Sequence, residues 1–404
     1  MEKILVLNAG STSVKFQLFN IDASHHEVLT KGGVERIGLA GSKITVVGEN
    51  GAPFTAEMPI TNHKEAIKAI LQYLTQKYLK NTEELAAIGH RMGYGGEDFD
   101  RSVAIDDYVM EKLYESLPLI PLHGLAFVHS IEAMNEFVPG VVQVAVFDTS
   151  FHQSVEKAEY LYAIPYEMYE KDHIRRYGFH GTSHRYAAKK AKEFLGHNGK
   201  FICCHLGGGS SVTAINNGKS VANSMGYTPA SGVIMSTRGG DMDPYIPLHI
   251  MKIQHKTADE VNTMLNKECG LYGLTGGHAD MRDIFEQAEQ GNEDCAFAIK
   301  AFIYSKIKTI GAYIALMGGI DALIFTAGIG ENSSYIRNEI CKRLQYLGLE
   351  LDEAANTSQP APTLISTATS KVKVLVIPAN EELMIAEDTY QVLKEIENSE
   401  QEAV

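Results

Sequence analysis

The sequence predicts an α/β protein with two domains and an internally duplicated architecture. The chain has 404 residues, which is more than a single hydrophobic core usually organises, so two domains are expected. Strand patterns alternate with helical patterns along the chain, as they do in layered α/β folds. A strand, a turn rich in glycine and serine, and a second strand open the chain, and the same order returns at mid-length. This recurrence predicts a duplication, with one copy opening each half.

The two copies can be followed along the chain by their hydrophobic periodicity. Strand, turn and strand are predicted at residues 4–7, 8–13 and 14–19, and again at 201–206, 207–211 and 212–215. Further strands are predicted at residues 87–89, 141–147, 322–326 and 372–377, and helices at 64–78, 107–116, 294–318 and after 382. The first domain is predicted to span residues 1–150 together with a C-terminal helix at about 385–404, and the second to span residues 151–384.

Composition limits the possible partners and compartments. The formal net charge is −14, which argues against broad binding of nucleic acids or anionic membranes, because both require a basic surface. An anionic ligand would therefore need a local cluster of arginines and a metal ion. The five cysteines include no C-x-x-C pair, so we expect free thiols and neither a zinc site nor disulfides. The N-terminal residues enter a strand directly and no apolar run reaches membrane-spanning length, which favours a cytoplasmic protein.

The densest group of reactive residue types lies at residues 175–184. This run holds two arginines, two histidines, a threonine, a serine and two glycines. An anion with a transferable group needs such donors, and glycines let backbone N–H groups come close to it. A solvated surface loop is the alternative interpretation.

Four glycine-containing turns are predicted to follow strands. They lie at residues 10–11, 207–211, 276–277 and 328–330, and nearby hydroxyl groups belong to Ser11, Ser13, Ser210 and Ser211. Backbone amides in such turns form anion-binding hollows. Each turn alone fits a tight hairpin, but four of them favour a polyphosphate ligand. None has the spacing of a Walker loop or opens a first βα unit with G-x-G-x-x-G, which excludes P-loop and Rossmann folds.

Arginines in glycine-rich turns and carboxylates at strand ends form a second set of candidates. Arg91 and Arg238 each lie near glycines, a setting suited to bidentate binding of phosphate or carboxylate; ordinary surface arginines are the alternative. Asp148 and Glu381 follow apolar strands and could hold Mg²⁺, which takes one or two carboxylates together with water and phosphate oxygens. A helix N-cap is the alternative for both carboxylates.

Taken in order, these segments resemble the acetate kinase family, a branch of the sugar kinase/Hsp70/actin superfamily. The markers extend over nearly the whole chain, at residues 7–11, 147–153, 175–184, 235–238, 325–332 and 380–382. The resemblance implies a duplicated actin-like (ribonuclease H-like) fold, with two domains flanking an active-site cleft and the nucleotide bound by the second. It also implies reversible phosphoryl transfer between ATP and a short-chain carboxylate with Mg²⁺ present, in a homodimer.

The resemblance also assigns roles to individual residues. Arg91 and Arg238 match arginines that bind the carboxylate and the phosphoryl group, and His180 matches a histidine that stabilises the transition state. Asp148 matches a residue that positions substrate or metal, and Asn8 and Glu381 match the magnesium side of the site. Other active-site positions correspond to Ser11, Ser13, Lys15 and His123. The nucleotide-binding segments correspond to His205, Leu206, Gly207, Gly208, Gly209, Asp280, Met281, Arg282, Gly328, Ile329, Gly330, Glu331 and Asn332. The substrate pocket corresponds to Arg91, Gly93, Leu122, Phe179 and Pro229.

Two positions depart from the family pattern. Gly93 replaces a valine that lines the pocket for the substrate's methyl group, so propionate and butyrate become alternatives to acetate unless Met92 or Tyr94 refills the space. One methylene in such a pocket changes the free energy by only about 1–3 kcal/mol, so we expect a graded preference. Gly208 replaces a family asparagine, which removes one contact to the nucleotide.

The chemistry implied by the resemblance needs no general base. A carboxylate with a reference pKa near ~4 is already ionised at neutral pH, so the task is to bring two anions together. Direct in-line transfer is the preferred mechanism, and a phosphoenzyme through Glu381 is the alternative. Two other classes stay open: a nucleotide-driven conformational protein like actin or Hsp70, and a sugar kinase in which Asp148 acts as the base.

Overall fold

The computed structural model describes residues 1–48, 51–117, 124–358 and 363–402. The chain forms two compact units: unit 1 is Met1–Phe151 with Asn380–Val404, and unit 2 is His152–Ala379. Each unit has its own β-sheet and its own hydrophobic core. Among the helices of these described ranges, none has both the length and the apolar character required to cross a bilayer.

Unit 1 is built on an eight-stranded sheet. Its strands are β1 Glu2–Gly10, β2 Ser13–Ile21, β3 His26–Glu35, β4 Lys43–Gly48, β5 Pro53–Glu57, β6 Leu85–Met92, β7 Val103–Ala104 and β8 Val142–Phe147. Their order in the sheet is β5-β4-β3-β2-β1-β6-β8-β7. β1 pairs antiparallel with β2 and parallel with β6, and β6 pairs parallel with β8. The apolar residues that predict β1 are buried at consecutive positions, which is typical of a strand covered on both faces.

Four helices pack on this sheet or on one another. They are α1 His63–Lys77, α2 Asp107–Ser116, α3 Gly124–Phe137 and, at the end of the chain, α15 Glu381–Glu402. Asn62 and Asp106 cap the first two helices, since their side chains accept hydrogen bonds from backbone N–H groups of the first turn. α15 packs against β1, β6 and β8, and so completes unit 1.

Unit 2 repeats the central part of this topology. Its strands are β9 Lys200–Leu206, β10 Ser210–Asn216, β11 Lys219–Asn223, β12 Ala322–Thr326, β13 Thr363–Leu364 and β14 Lys373–Val376, in the order β11-β10-β9-β12-β14-β13. β9 pairs antiparallel with β10 and parallel with β12, and β12 pairs parallel with β14. One antiparallel neighbour followed by two parallel ones is the arrangement around β1, so the predicted duplication is confirmed.

The helices of unit 2 surround its sheet. They are α4 Lys157–Tyr160, α5 Glu167–Asp172, α6 Gly181–Leu195, α7 Tyr245–Gln254, α8 Ala258–Lys267, α9 Gly270–Thr275, α10 Met281–Glu289, α11 Glu293–Met317, α12 Ala327–Asn332, α13 Ser334–Lys342 and α14 Glu353–Ser358. Short 3₁₀ helices lie at Thr82–Glu84, Ser150–Ser154 and Gln345–Leu347. Asn292 caps the start of α11, and Gly318 ends it in a left-handed conformation with φ of 64°.

Two of the predicted glycine turns differ from the structure. Gly276 does not follow a strand: it ends α9 with φ of 70°, so that prediction is wrong. Residues 328–330 do follow a strand, β12, but they belong to the short helix α12 and not to a turn. The local sequence does not distinguish a glycine that ends a helix from a glycine that ends a strand. In both places the backbone conformation favours a residue without a Cβ atom.

Candidate active site

One arginine and two carboxylates meet at the carboxyl edge of the unit 1 sheet. Arg91 lies near the end of β6 and Asp148 directly follows β8, and the parallel pairing of these strands places both ends at the same edge. Nη2 of Arg91 donates to Oδ2 of Asp148 at 2.8 Å, and its Nη1 lies 3.2 Å from Oε2 of Glu381, the first residue of α15. The structure thus brings together three of the predicted site residues.

The charges of this cluster do not balance. Burial by itself lowers the pKa of Arg91, but the carboxylates of Asp148 and Glu381 outweigh burial and hold that pKa above its usual value. Burial raises the pKa of Glu381 to about 6, against the opposing effect of Arg91 and with a further increase from Asp148 and Glu382. One guanidinium therefore faces more than one buried carboxyl group, and a second cation would be favourable here.

Magnesium fits this donor set. In the described residues, no three His, Cys, Asp or Glu side chains lie together as a cage for a metal. Mg²⁺ does not require one, since it usually takes one or two carboxylates and completes its shell with water and phosphate oxygens. Asp148 and Glu381 supply two hard oxygen donors with surplus negative charge, and Asn8 lies near the end of β1, two strands from β8 in the sheet.

The turn that joins β1 to β2 belongs to the same sheet. Asn8 and Lys15 are opposite each other in the β1–β2 register, and the charge of Lys15 lowers the pKa of Glu381. Ser11 is exposed and Ser13 is half-buried. His63, which no sequence motif marks, lies in α1, and its Nε2 approaches the carbonyl oxygen of Gly10 at 2.7 Å and so supports the turn.

The predicted substrate-pocket residues fall into three groups. A Cβ atom at Gly93 would lie 3.5 Å from the ring of Phe127, so α3 borders the space that this glycine leaves. In unit 2, Phe179 is buried, and the carbonyl oxygen of Pro229 accepts a hydrogen bond from Nη1 of Arg238 at 2.7 Å. Leu122 and His123 lie outside the described residues.

Arg238, His180 and Gly209 converge in unit 2. A Cβ atom at Gly209 would lie 2.7 Å from Nη2 of Arg238 and 3.2 Å from Nε2 of His180, so only glycine leaves these two side chains undisturbed. Burial lowers the pKa of Arg238, and no carboxylate of the described chain pairs with its guanidinium. A half-buried guanidinium without a carboxylate partner is a favourable place for an anion.

The run at residues 175–184 is divided by the structure. The guanidinium of Arg175 lies over the ring of Tyr160 at 3.6 Å, and that of Arg176 over the ring of Tyr162 at 4.6 Å. The second half turns into α6, with His180 at its N-cap in a left-handed conformation, φ 57°. The arginines of the run therefore pack on aromatic rings, and the first of its two histidines, His180, lies beside Arg238.

The histidines of unit 2 form a connected group. The rings of His180 and His205 stack with centroids 4.2 Å apart, and Oγ of Ser183 lies 2.8 Å from Nδ1 of His205. Oγ of Ser211 lies 2.9 Å from Nδ1 of His180 and 2.6 Å from Nε2 of His184. Ser211 was predicted to face an anion, and the structure instead places it between two imidazoles.

Two of the three predicted nucleotide segments lie at the ends of neighbouring strands, and the third lies at the start of α10. Gly207 follows β9, and its N–H donates to the carbonyl of Gly209 at 2.9 Å. β12, which runs parallel to β9, leads directly into α12 and thus into residues 328–332. Asp280 caps α10 and pairs with Arg282 at 2.6 Å. Hydrogen bonds from the side chain and the backbone N–H of Arg282 lower the pKa of Asp280 to about 2, against the opposing effect of burial.

Arg337 is hydrogen-bonded to the backbone of the segment at residues 328–332. This buried side chain donates to the carbonyl oxygens of Gly330 at 2.9 Å and Glu331 at 2.8 Å, and to both the side chain and the backbone of Asn356. Burial lowers its pKa to about 10. This arginine was not recognisable from the sequence, because no glycine or motif marks it and its partners come from distant segments.

Comparison with known proteins decides the family. The profile of the Acetokinase family matches residues 3–387. The chain belongs to the Acetokinase family. Among its relatives, the acetate kinase of Thermotoga petrophila is 47% identical over 403 residues, covering 98% of this chain and 99% of that protein. The acetate kinase of Treponema denticola is 48% identical over 398 residues, covering 97% and 100%.

Solved structures of the Acetokinase family share the whole fold. The crystal structure of Porphyromonas gingivalis acetate kinase has a TM-score of 0.91 at 40% identity, and that of a propionate kinase from Francisella tularensis has 0.91 at 38%. Each comparison covers 97% of this chain and 100% of the other. The predicted family, its duplicated actin-like α/β fold and its class of enzyme, a phosphotransferase, are confirmed.

Proposed function

We propose that this chain transfers a phosphoryl group reversibly between ATP and acetate, with acetyl phosphate and ADP as the other pair of reactants. The observation that carries the proposal is the grouping of Arg238, His180 and Gly209, where a half-buried guanidinium has no carboxylate partner among the described residues. An anionic oxygen bound there would supply the missing charge. Acetate is the first choice of acceptor, because the relatives at 47–48% identity are named acetate kinases.

The reaction is mainly a matter of charge neutralisation and position. The acceptor carboxylate is ionised at neutral pH, so no residue has to remove a proton from it. In this proposal Arg91 binds the carboxylate and is held in place by Asp148 at 2.8 Å. Arg238 and His180 donate to the oxygens of the phosphoryl group as it passes in line from ATP to the acceptor.

We propose that Mg²⁺ binds together with the nucleotide. Asp148 and Glu381 would hold it, with Asn8 nearby, and when bound it would neutralise charge on the phosphates. The surplus of negative charge beside Arg91 supports this assignment. We expect Glu381→Gln to raise the Mg²⁺ concentration needed for half-maximal rate by about tenfold or more; an unchanged Mg²⁺ dependence would contradict it.

The proposed nucleotide site is in unit 2. It comprises His205, Leu206, Gly207, Gly208, Gly209, Asp280, Met281, Arg282, Gly328, Ile329, Gly330, Glu331 and Asn332. Two observations support this site. First, the segments after β9 and β12 lie at the carboxyl edge of neighbouring parallel strands, which is where open α/β sheets bind ligands. In addition, Arg337 stabilises one of the segments by hydrogen bonds to the carbonyl oxygens of Gly330 and Glu331, and is itself fixed by two hydrogen bonds to Asn356.

The length of the acyl chain is a finer question, with propionate and butyrate as alternatives to acetate. Gly93 leaves space beside Phe127, and a structure 38% identical to this chain is named a propionate kinase. The test is kcat/KM for acetate, propionate and butyrate in the wild type and in Gly93→Val. We expect valine, which would touch the Phe127 ring, to penalise the longer acids by about 10- to 200-fold relative to acetate. An unchanged ranking would refute the pocket at Gly93.

Acyl phosphate formation tests the activity directly. The enzyme is incubated with ATP, Mg²⁺, acetate and hydroxylamine, and the iron complex of the resulting hydroxamate is measured. Arg238→Met should lower kcat on the order of 10³-fold, by analogy with arginines that stabilise phosphoryl transfer. ATP hydrolysis without hydroxamate would instead indicate a nucleotide-driven conformational protein, and phosphorylation of a sugar would indicate a sugar kinase.

Direct transfer is distinguished from a phosphoenzyme by stereochemistry. With ATP that is chiral at the γ-phosphorus, a single in-line transfer inverts the configuration. Two successive transfers, for example through Glu381, would give net retention and would contradict the mechanism proposed here.

We further propose a homodimer that buries α7. None of the residues of this helix is buried, although it is rich in apolar side chains. Tyr245 is 75% exposed, Leu248 59% and Ile253 55%, and such an apolar surface is typical of a protein interface. Sedimentation should give twice the chain mass, and Leu248→Glu with Ile253→Glu should give the chain mass; a monomeric wild type would contradict the proposal.

A cytoplasmic location is consistent with the thiols. All five cysteines are free, and four of them are buried, as expected of a protein from a reducing compartment. Cell fractionation should recover the protein with cytoplasmic markers; recovery in a secreted fraction would contradict this location.

A further inference from the structure

A single buried hydroxyl group connects two histidines of unit 2. Ser211 is fully buried in β10, and its Oγ lies 2.9 Å from Nδ1 of His180 and 2.6 Å from Nε2 of His184. The two histidines are four residues apart, at the N-cap and in the first turn of α6, so both face the same strand. Within the described chain these two nitrogens are the partners of the hydroxyl.

The number of hydrogen atoms limits how this group can be arranged. A serine hydroxyl carries one hydrogen, and a neutral imidazole carries one on either of its nitrogens. Burial, and then the charges of His152 and His205, lower the pKa of His184, so this ring is neutral in the folded protein. Because a buried hydroxyl hydrogen needs an acceptor, it points either to His184 or to His180.

The other nitrogen of His184 distinguishes the two arrangements. Its Nδ1 is buried and has no hydrogen-bond partner in the described structure. If the serine hydrogen pointed to Nε2 of His184, that ring would carry its own hydrogen on Nδ1 and leave a buried donor unsatisfied. Buried donors without partners are rarer than under-satisfied acceptors. His184 therefore carries its hydrogen on Nε2 and donates it to Ser211, which leaves the serine hydrogen for His180.

We infer that Ser211 and His184 are positioning residues that fix His180 with its ring hydrogen on Nε2. The hydroxyl of Ser211 donates to Nδ1 of His180, so in the neutral ring Nδ1 is the acceptor and Nε2 the donor. Nε2 and Cε1 are the ring atoms that face Gly209, and an added Cβ there would also approach Nη2 of Arg238. His180 thus presents a hydrogen-bond donor to an anion and has no lone pair there to act as a base.

This arrangement adds a fixed hydrogen-bond donor, the Nε2–H of His180, to the proposed phosphoryl transfer. It rests on the proposed function only in identifying the anion as the phosphoryl group in flight; the position of the ring hydrogen is a property of the protein alone. The stacking of His180 on His205 suits a neutral ring, because two charged imidazoles at 4.2 Å would repel each other.

Nitrogen NMR of the full-length protein tests the inference without any substrate. With ¹⁵N-labelled histidine, two-bond proton–nitrogen spectra distinguish the two neutral tautomers, and the signals that disappear in His180→Gln identify His180. We expect the wild type to show the hydrogen of His180 on Nε2. A hydrogen on Nδ1 would overturn the inference, whether or not the chain proves to be a carboxylate kinase.

Kinetics of two matched variants provide the second test. Ser211→Ala should allow both tautomers in the spectrum and lower kcat about tenfold, the effect of one lost hydrogen bond, with KM for ATP and acetate changed by less than about twofold. His184→Gln, which can still donate to Ser211, should retain far more of kcat than His184→Leu. If Ser211→Ala keeps the wild-type tautomer and rate, Ser211 does not fix the ring. If Ser211→Ala does not fold, the wild-type spectrum still decides.

Discussion

A methyl group added at Gly209 would collide with the guanidinium of Arg238. The added Cβ would lie 2.7 Å from Nη2, and the guanidinium would have to move by at least about 0.7 Å to reach an ordinary van der Waals separation. Nε2 of His180 would be at 3.2 Å and under less pressure. Gly209→Ala therefore displaces one proposed catalytic group while leaving the other nearly in place.

The size of the effect follows from this displacement. Misplacing a reacting group by about 1 Å can lower a rate about 10²-fold, so we expect kcat of Gly209→Ala to fall by about 10- to 100-fold. The fold should be retained, because Gly209 has no positive φ and the clashing atom is the end of a flexible side chain. The free energy of unfolding should change by less than about 1 kcal/mol.

The assay is hydroxamate formation at saturating ATP and acetate, with denaturant unfolding measured in parallel. Gly208→Ala is the contrasting variant, since the nearest atom to its Cβ would be Oγ of Ser236 at 4.0 Å. It leaves Arg238 untouched and should lower kcat much less. A folded Gly209→Ala enzyme within about threefold of the wild-type kcat would refute the reasoning. Equal losses in both variants would also refute it, because stiffening of the loop would then explain them.

Three further predictions concern buried charges. Arg91→Met leaves Asp148 and Glu381 without their counter-charge. It should lower the free energy of unfolding by about 3–5 kcal/mol at pH 8, with a smaller loss at pH 5. Equal losses at both pH values would contradict this prediction. The pKa of Glu381 is raised to about 6 by burial, so its contribution to stability should fall by about 2 kcal/mol as the pH rises from about 4.5 to 6. Denaturant unfolding of the wild type should show this fall, and Glu381→Gln should remove it; a variant with the wild-type pH profile would exclude Glu381 as its source. Arg337→Met leaves the carbonyl of Gly330 without its donor and should raise KM for ATP at least about fivefold, with a lower Tm; an unchanged KM would separate this arginine from the nucleotide site.

Local sequence patterns were sufficient to predict several of the helices and strands. The helix predicted at residues 107–116 is α2 with the same bounds, and the helix predicted at residues 294–318 is α11 within one residue. Each begins at a capping side chain, Asp106 for α2 and Asn292 for α11, which marks the start of the helix in the sequence. The strand–turn–strand unit was recognisable twice, because apolar runs and small turn residues alternate within a few residues.

Strands β3 to β5 could not be recognised in this way. β3 contains Gly32 and Gly33, which weaken a strand signal when it is read along the chain. The structure explains Gly32: a Cβ atom there would lie 2.2 Å from the carbonyl oxygen of Thr45 in β4. The requirement for glycine thus comes from a neighbouring strand, which the local pattern does not contain.

For the site, residue types were predictable and partners were not. Arg91 and Asp148 were marked separately, but their contact depends on the register of β6 and β8. Ser211 was marked as a donor to an anion, and only the structure shows the imidazoles on both sides of it. Likewise, nothing in the run at residues 175–184 shows that its arginines pack on tyrosine rings while its two histidines lie on either side of Ser211.

Unit 1 is built from two separate stretches of the chain, which has a consequence for its synthesis on the ribosome. Unit 2 occupies His152–Ala379, and unit 1 is finished only when Asn380–Val404 has been added. A nascent chain can therefore complete its second unit while the first still lacks α15, and with it the carboxylate of Glu381 that shares Arg91 with Asp148. Translation proceeds at about 5–20 residues per second, so the exposed seam along β1, β6 and β8 persists for many seconds before the last helix covers it.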